Sequence, residues 1–408
     1  MHKLVTIGIV AVALASTPAQ ARWITSWTAA PYTPDPIVGS SVPPPSYGNR
    51  TLRQVLRLSA GGRAVRVRFT NAYGTSALKI ASARIALLDE GGQEVPGSSH
   101  ALSFGGESTI VVPRAAPSLS DAVPMDVPAL ARLVVSFYLP DEPAVCTCHM
   151  TGLDTIQVSA PGDFSSGPFT PQTTGTNRAF IAAVEVDAAR TAATVVAIGD
   201  SITDGVGSTP KANHRWPDLL AERLVRRGGP VWGVANQGFS GNRLLADGAG
   251  DNALARLDRD VFSLAGVKAL IVFEGVNDLG FASGKLPGMR GKSGTPNEAM
   301  AAAPMIVGYR QIAERAHALG IKVYGATIAP YKGAFYWTPE GESVRQEINR
   351  FIRTAGVFDA VLDFDKVLAD PADPAAIRAG LHPGDHLHGN DAGYKALADS
   401  IDLRLFRR

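Results

Sequence analysis

Val195-Val196-Ala197-Ile198-Gly199-Asp200-Ser201-Ile202-Thr203-Asp204-Gly205 runs from an apolar stretch straight into a polar turn. Four apolar residues in a row, with no polar alternation, describe a strand covered on both faces, as in a buried parallel sheet. Such sheets carry their ligands just beyond the C-terminal ends of their strands. Ser201 therefore stands where an exposed reactive hydroxyl belongs, and glycines at 199, 205 and 207 let the backbone turn sharply around it. A Gly-Asp-Ser turn by itself can also do no more than cap a helix; the rest of the chain separates the two readings.

Downstream of Thr194 the same rhythm repeats, with apolar strands alternating with helical stretches. The patterning predicts strands over 195–198, 231–235, 269–273, 322–327 and 360–364, and helices near 216–227, 303–318, 342–354 and 392–405. Right-handed crossovers make a three-layer, doubly wound parallel α/β sheet the expected fold of residues 189–408. The stretch 280–304, rich in Gly, Lys, Ser and Pro, is too long for an ordinary strand–helix connection and predicts a loop beside the site.

Residues 22–188 read differently. Leu52, Gln54, Leu56 and Leu58 alternate with Arg53 and Arg57, and after Gly61-Gly62 the residues Val65, Val67 and Phe69 alternate with Arg66 and Arg68. This is period-two patterning with one buried face, and the intervening glycines predict a hairpin. Leu133, Val135, Phe137 and Leu139 repeat it, so an all-β sandwich or jelly roll is expected ahead of the α/β half.

The chain has 408 residues, 45% of them apolar, and a net charge of +2, which is enough for two cores and shows no basic footprint of nucleic-acid binding. Lys3, the apolar residues 4–15 and Ala19-Gln20-Ala21 have the layout of a secretory signal over 1–21, with cleavage after Ala21. That run is too short to span a bilayer, so a secreted or periplasmic protein without a membrane span is expected. The two cysteines, Cys146 and Cys148, flank one residue; two thiols or a local bridge are both open, and neither is assigned a catalytic role.

Three further segments fall at predicted strand ends: Asn236-Gln237-Gly238-Phe239-Ser240-Gly241-Asn242, Gly275-Val276-Asn277-Asp278, and His382-Pro383-Gly384-Asp385-His386-Leu387-His388-Gly389-Asn390 ahead of the last helix. Together with Gly-Asp-Ser-Ile-Thr-Asp-Gly, and in this order, they resemble the SGNH (GDSL-type) hydrolase superfamily over residues 194–405. The resemblance implies a flavodoxin-like fold, Ser201 as nucleophile, His388 as general base, Asp385 as its orienting acid, and Ser201, Gly241 and Asn277 as the oxyanion hole. No cofactor and no metal are implied. The N-terminal half, with Asn71-Ala72-Tyr73-Gly74 after a strand, more loosely resembles the β domain of an exported arylesterase/acylhydrolase branch.

The chemistry is coherent without the family. A serine hydroxyl needs an adjacent base, and an imidazole held in one tautomer by a carboxylate supplies it. The tetrahedral intermediate then needs N–H donors aimed at its oxygen. Singly, Gly241 reads equally as a turn residue and Asn277 as a helix cap. His382, His386, His388 and Asp385 also have the makings of a zinc site, but that reading leaves the other segments unused. Asp200 and Asp204 read as turn supports and Asp278 as a cap for the segment after it; Trp232 reads as core, and Phe335, Tyr336 and Trp337 as either core or cleft. No Gly-x-Ser-x-Gly elbow occurs, which favours a flatter site than that of the α/β-hydrolases. The expected activity is a serine esterase acting on short acyl, notably acetyl, esters of carbohydrate or aryl alcohols, small or polymeric. A lipase- or phospholipase-type acylhydrolase and a carbohydrate-binding protein with a non-catalytic α/β scaffold are the alternatives. Oligomeric state has no signature in the sequence.

Overall fold

The computed structural model describes residues 22–32, 46–285 and 301–407. The signal segment expected over 1–21 lies outside them. Five parallel strands, β1 (Ala193–Gly199), β2 (Trp232–Gly238), β3 (Val267–Phe273), β4 (Lys322–Ala326) and β5 (Ala360–Leu362), form one sheet in the order β2-β1-β3-β4-β5. This is the flavodoxin-like doubly wound order, with the strand sequence reversing between β1 and β3. Every residue of β1 is buried, as its unbroken apolar character requires.

Among the described residues, eight α-helices connect and flank the strands: α1 (Ser201–Asp204), α2 (Trp216–Arg227), α3 (Ala253–Leu257), α4 (Val276–Ala282), α5 (Ala302–Ala318), α6 (Pro339–Thr354), α7 (Phe364–Leu368) and α8 (Asp391–Ser400). α2 and α7 pack on α8, whereas α3 and α6 pack on α5 and α4 packs on α6, giving the sheet two helical layers. α2 has the predicted bounds, starting with Pro217 in its first turn and ending before Gly228. β5 stops two residues short of the expected end because Phe364 turns inward as the start of α7, edge-on to Trp216 and Phe273. The long polar stretch predicted as a loop is helical at both margins, in α4 and α5; its residues 286–300 lie outside the described chain.

The described residues between 22 and 188 build two main antiparallel sheets packed face to face, with two small two-stranded sheets beside them. One runs Arg22–Thr28, Ile181–Ala188, Gly62–Thr70, Pro117–Leu119, with Val123–Val127 also on the third strand. The other runs Pro171–Gly175, Ile156–Pro161, Arg50–Arg57, Arg132–Leu139, Ser82–Leu88, His100–Ala101. The expected hairpin about Gly61-Gly62 does not form. Arg50–Arg57 pairs with Arg132–Leu139 and Ile156–Pro161, whereas Gly62–Thr70 belongs to the opposite sheet. Alternation alone cannot separate hairpin partners from facing strands, since both point Leu52, Leu56, Val65, Val67 and Phe69 into one core. Each such side chain, fully buried, contributes about 1.5–3 kcal/mol. Cys146 and Cys148 are joined in a disulfide.

The first sandwich strand lies along β2, the edge of the parallel sheet. Thr28 Oγ1 donates to Asn236 O at 2.7 Å and Val234 N donates to Ser59 Oγ at 2.8 Å, so the edge is covered. Among the described residues no helix is long and apolar enough to cross a membrane.

Candidate active site

β1 ends at Gly199, and Asp200 caps the single turn of α1 by accepting the Ile202 N–H at 2.8 Å. That bond is the turn-holding role expected of Asp200, and it sets Ser201 at the first helical position. There a backbone N–H has no carbonyl four residues back to bond. Burial pushes the Asp200 carboxyl up to about 7, against the opposing pull of the Ile202 N–H and His388.

The loop before α8 brings His388 to Ser201. His388 Nε2 lies 2.8 Å from Ser201 Oγ, and His388 Nδ1 lies 2.6 Å from Asp385 Oδ2. Asp385 Oδ1 also accepts the N–H groups of Leu387 and His388, at 3.0 and 3.1 Å. Partial burial works to raise the Asp385 carboxyl, but these hydrogen bonds and the imidazole outweigh it and hold it at about 2. An ionised carboxylate only accepts, so Nδ1 carries the proton and Nε2 presents its lone pair to the serine hydroxyl. The Asn390 side chain caps α8 through Gly393 N and donates to Gly380 O, which anchors this loop at its base. Gly207, at φ +91°, permits its close approach to α1: a Cβ there would stand 2.5 Å from Gly389 O.

After β2 the chain turns through Gly241, whose φ of +81° is left-handed and favours glycine. Neither the Gly241 N–H nor the Ser201 N–H is bonded to another group among the described residues. Asn277 sits in the first turn of α4, which is capped by Gly275, so the cap reading of Asn277 does not apply. Its Nδ2 donates to Asn242 O at 2.9 Å, and its Oδ1 accepts the Tyr336 hydroxyl at 3.1 Å. The Asn242 carbonyl only accepts, which fixes the amide end facing it as nitrogen, and burial holds the Tyr336 hydroxyl well above its ordinary value, so it stays protonated and donates to Oδ1. The second Nδ2 hydrogen remains for a ligand.

Asp278 is not a cap. Half-buried in α4, it accepts Leu244 N at 2.8 Å and Leu245 N at 3.1 Å, pinning the chain just past Gly241. The aromatic cluster divides: Tyr336 reaches Asn277, Phe335 is 62% exposed, and Trp337 packs at the core margin. Trp232 is core, its Nε1 donating to Phe406 O at 2.8 Å. The histidines are engaged in ways that disfavour a shared metal: His382 Nδ1 accepts Gly384 N and His386 N, while both nitrogens of His388 are committed. Among the described residues no group of three or more His, Cys, Asp or Glu side chains is arranged to hold a metal ion.

Sequence reasoning missed Arg256. Fully buried, it donates to Gly199 O, Gln237 O and Asn242 Oδ1, tying the ends of β1 and β2 to the residue after Gly241. Its only sequence signal is Asp260 four residues on, an ordinary helical pairing. Glu274 is also buried, 3.5 Å from Arg256; among the described residues neither of its carboxyl oxygens has a hydrogen bond, and burial drives it well above the carboxylate range. His149 was missed as well; its partner Asp204 comes from the opposite half of the molecule.

Residues 197–396 match the model of the GDSL-like lipase/acylhydrolase family. Among solved structures, a GDSL-like lipase from Bacteroides thetaiotaomicron is 18% identical, with a TM-score of 0.38 over 52% of this chain and 87% of that one. The acetyl xylan esterase AlAXEase is 22% identical, with a TM-score of 0.37 over 51% of this chain and 96% of that one. A member of the lipolytic protein G-D-S-L family from Veillonella parvula is 15% identical, with a TM-score of 0.35 over 51% of this chain and 94% of that one. No curated protein matches the chain.

Proposed function

Because the chain belongs, through its α/β half, to the GDSL-like lipase/acylhydrolase family of ester hydrolases, we propose that it is an exported serine esterase. It removes short acyl groups, acetyl foremost, from carbohydrate or aryl alcohols. The observation that carries the reading is the relay from Asp385 through His388 to Ser201 Oγ, at 2.6 and 2.8 Å.

In the proposed mechanism Ser201 Oγ attacks the ester carbonyl while His388 Nε2 takes its proton. The oxyanion is held by the N–H groups of Ser201 and Gly241 and by Asn277 Nδ2. As the intermediate collapses, His388 returns the proton to the departing alcohol, leaving an acyl-serine. Water, deprotonated by the same imidazole, then attacks that acyl group, and as the bond to Ser201 Oγ breaks His388 returns the proton to that oxygen, releasing the acid and free Ser201. Asp385 stays ionised throughout and stabilises the imidazolium formed in each half-reaction.

Preference for short chains is supported by the missing elbow motif and by the solvent-facing acid of the relay, the Asp385 side chain being 40% exposed. Each methylene buried is worth about 0.8 kcal/mol, and a shallow setting gives a long acyl chain little of it. Export is supported by the layout of residues 1–21 and by the bridged Cys146–Cys148 pair, which suits an oxidising compartment.

Nitrophenyl esters from acetate to palmitate test the assignment. Turnover should be highest for acetate and fall by roughly tenfold or more by eight carbons, with a serine-directed phosphonate abolishing it and a chelator leaving it intact. A preference for chains above about eight carbons would favour the lipase-type alternative. Chelator sensitivity with phosphonate resistance would replace the serine mechanism by a metal-dependent one.

Asn277→Ala should lower kcat on the order of 10²-fold with little change in KM, as expected for a donor used in the transition state. Tyr336→Phe removes only the group that orients that amide, so its kcat should fall less, by about tenfold. A larger effect at Tyr336 than at Asn277 would contradict this ranking.

A further inference from the structure

The segment 239–242 supplies the Gly241 donor, and it is held in part from the sandwich. Phe239 lies under Tyr32 of the sandwich, the rings stacked with centroids 5.1 Å apart. Ser240 Oγ lies 3.2 Å from Thr151 Oγ1, again of the sandwich. Asn242 Nδ2 donates to Asp251 O at 2.9 Å, and Asp251 Oδ2 accepts the hydroxyl of Tyr73 at 2.8 Å. Within the segment only Gly241 has a backbone N–H uncommitted among the described residues.

The central tie is a buried relay. His149 is 3% exposed; its Nδ1 donates to Ala30 O at 3.0 Å, and its Nε2 lies 2.9 Å from Asp204 Oδ1. Asp204 is the last residue of α1, the turn that begins with Ser201, and is 1% exposed. Its other oxygen, Oδ2, accepts Ser240 N at 3.2 Å and Ser240 Oγ at 3.3 Å. One carboxylate thus spans the nucleophile turn and the residue before Gly241, and one imidazole from the sandwich fixes its position. The imidazole has a rigid mounting. Cys148 and His149 pair with Arg178–Ala179, Cys148 exchanges backbone hydrogen bonds with Tyr32 at 2.9 and 3.0 Å, and Cys146 is disulfide-bonded to Cys148.

We propose that the β-sandwich is a working part of the catalytic unit, and that His149 is a positioning residue which sets the distance between Ser201 and the Gly241 donor by holding Asp204. The proposal rests on the reading of Ser201 and Gly241 given above. Donors of an oxyanion hole act at about 2.7–3.1 Å from the developing charge, so a displacement of a few tenths of an ångström is felt in the transition state far more than in substrate binding. Without the imidazole, Asp204 is left buried and short of a partner, and it shifts with both segments it holds.

The test uses the full chain, with kcat expressed per serine titrated by a stoichiometric phosphonate, so that loss of folded protein does not register as loss of rate. His149→Asn keeps a donor for Ala30 O but is too short to reach Asp204; His149→Gln reaches Asp204. Asparagine should lower kcat by about 10- to 100-fold with KM within about threefold, and glutamine should recover most of the loss. Equal kcat for the two variants, an effect confined to KM, or an unchanged rate per titrated serine overturns the proposal.

Should the asparagine variant show no cooperative thermal transition, Ser240→Ala decides. It removes only the hydroxyl shared with Asp204 and Thr151 and should cost about three- to tenfold in kcat at constant KM; an unchanged kcat overturns the proposal. Uptake of phosphonate by the wild-type serine separates the two levels. Its absence would sink the reading of Ser201 and this proposal with it, whereas normal uptake with a flat His149 series sinks the positioning role alone.

Discussion

Ser201→Ala is expected to lower turnover of nitrophenyl acetate by roughly 10⁴-fold or more while leaving the protein folded. Among the described residues the hydroxyl makes one hydrogen bond, with His388 Nε2 at 2.8 Å, and the backbone turn is held by Asp200 rather than by the serine side chain. The loss of stability should therefore stay near the worth of one hydrogen bond, about 1 kcal/mol. In the proposed mechanism Ser201 and His388 act as a unit, so His388→Ala should cost a similar factor, and the double variant should be no worse than either alone. Residual rate above the uncatalysed reaction would come from the donors at Gly241 and Asn277. A folded Ser201→Ala protein with undiminished turnover would falsify the acyl-serine mechanism.

Asp385→Asn is expected to lower kcat by about 10³- to 10⁴-fold, although the side chain keeps its shape. The amide oxygen can still accept Leu387 N and His388 N, but the amide nitrogen then faces His388 Nδ1 in place of Oδ2. A donor there forces Nδ1 to accept and moves the ring proton to Nε2, where it blocks removal of the serine proton. The pH dependence carries a signature. The Asp385 carboxyl is held at about 2, below its ordinary 3.8, so its stabilising contribution is fully present above about pH 4 and is lost only as the pH falls through about 2. Between about pH 5 and 9 the wild-type profile should therefore show no limb from this group, and the deficit of the variant should be the same at every pH. Recovery of the variant to within about tenfold of wild type at alkaline pH would contradict the tautomer argument.

Strands with unbroken apolar runs were legible because burial on both faces leaves nothing else for such a run to be, and β1 is the case in point. α2 was legible to the residue because proline at its start and glycine after its end mark a helix locally. The false hairpin at Gly61-Gly62 shows where local pattern stops. Alternation reports which face is buried, and the two strands share a core, but hydrogen-bond pairing lies far along the chain, with Arg132–Leu139 and Ile181–Ala188. Asp278 was misjudged for the same reason. A carboxylate in a first helical turn looks like a cap until its partners, Leu244 and Leu245, are brought in by another strand's loop.

The sequence by itself determined the alternation of strands and helices, the all-β character of the first half, and the short segments that contain Ser201, Gly241, Asn277, Asp385 and His388, because each of these is a property of neighbouring residues. Tertiary structure alone decided how those segments are held. The Tyr336 hydroxyl bonds to Asn277, the Arg256 guanidinium ties two strand ends, and His149 of the sandwich grips Asp204 at the end of the Ser201 turn. Such contacts join residues from 19 to 59 positions apart. A hydrogen bond of that kind leaves no periodicity or spacing along the chain, since it depends only on where folding brings two polar groups out of water together.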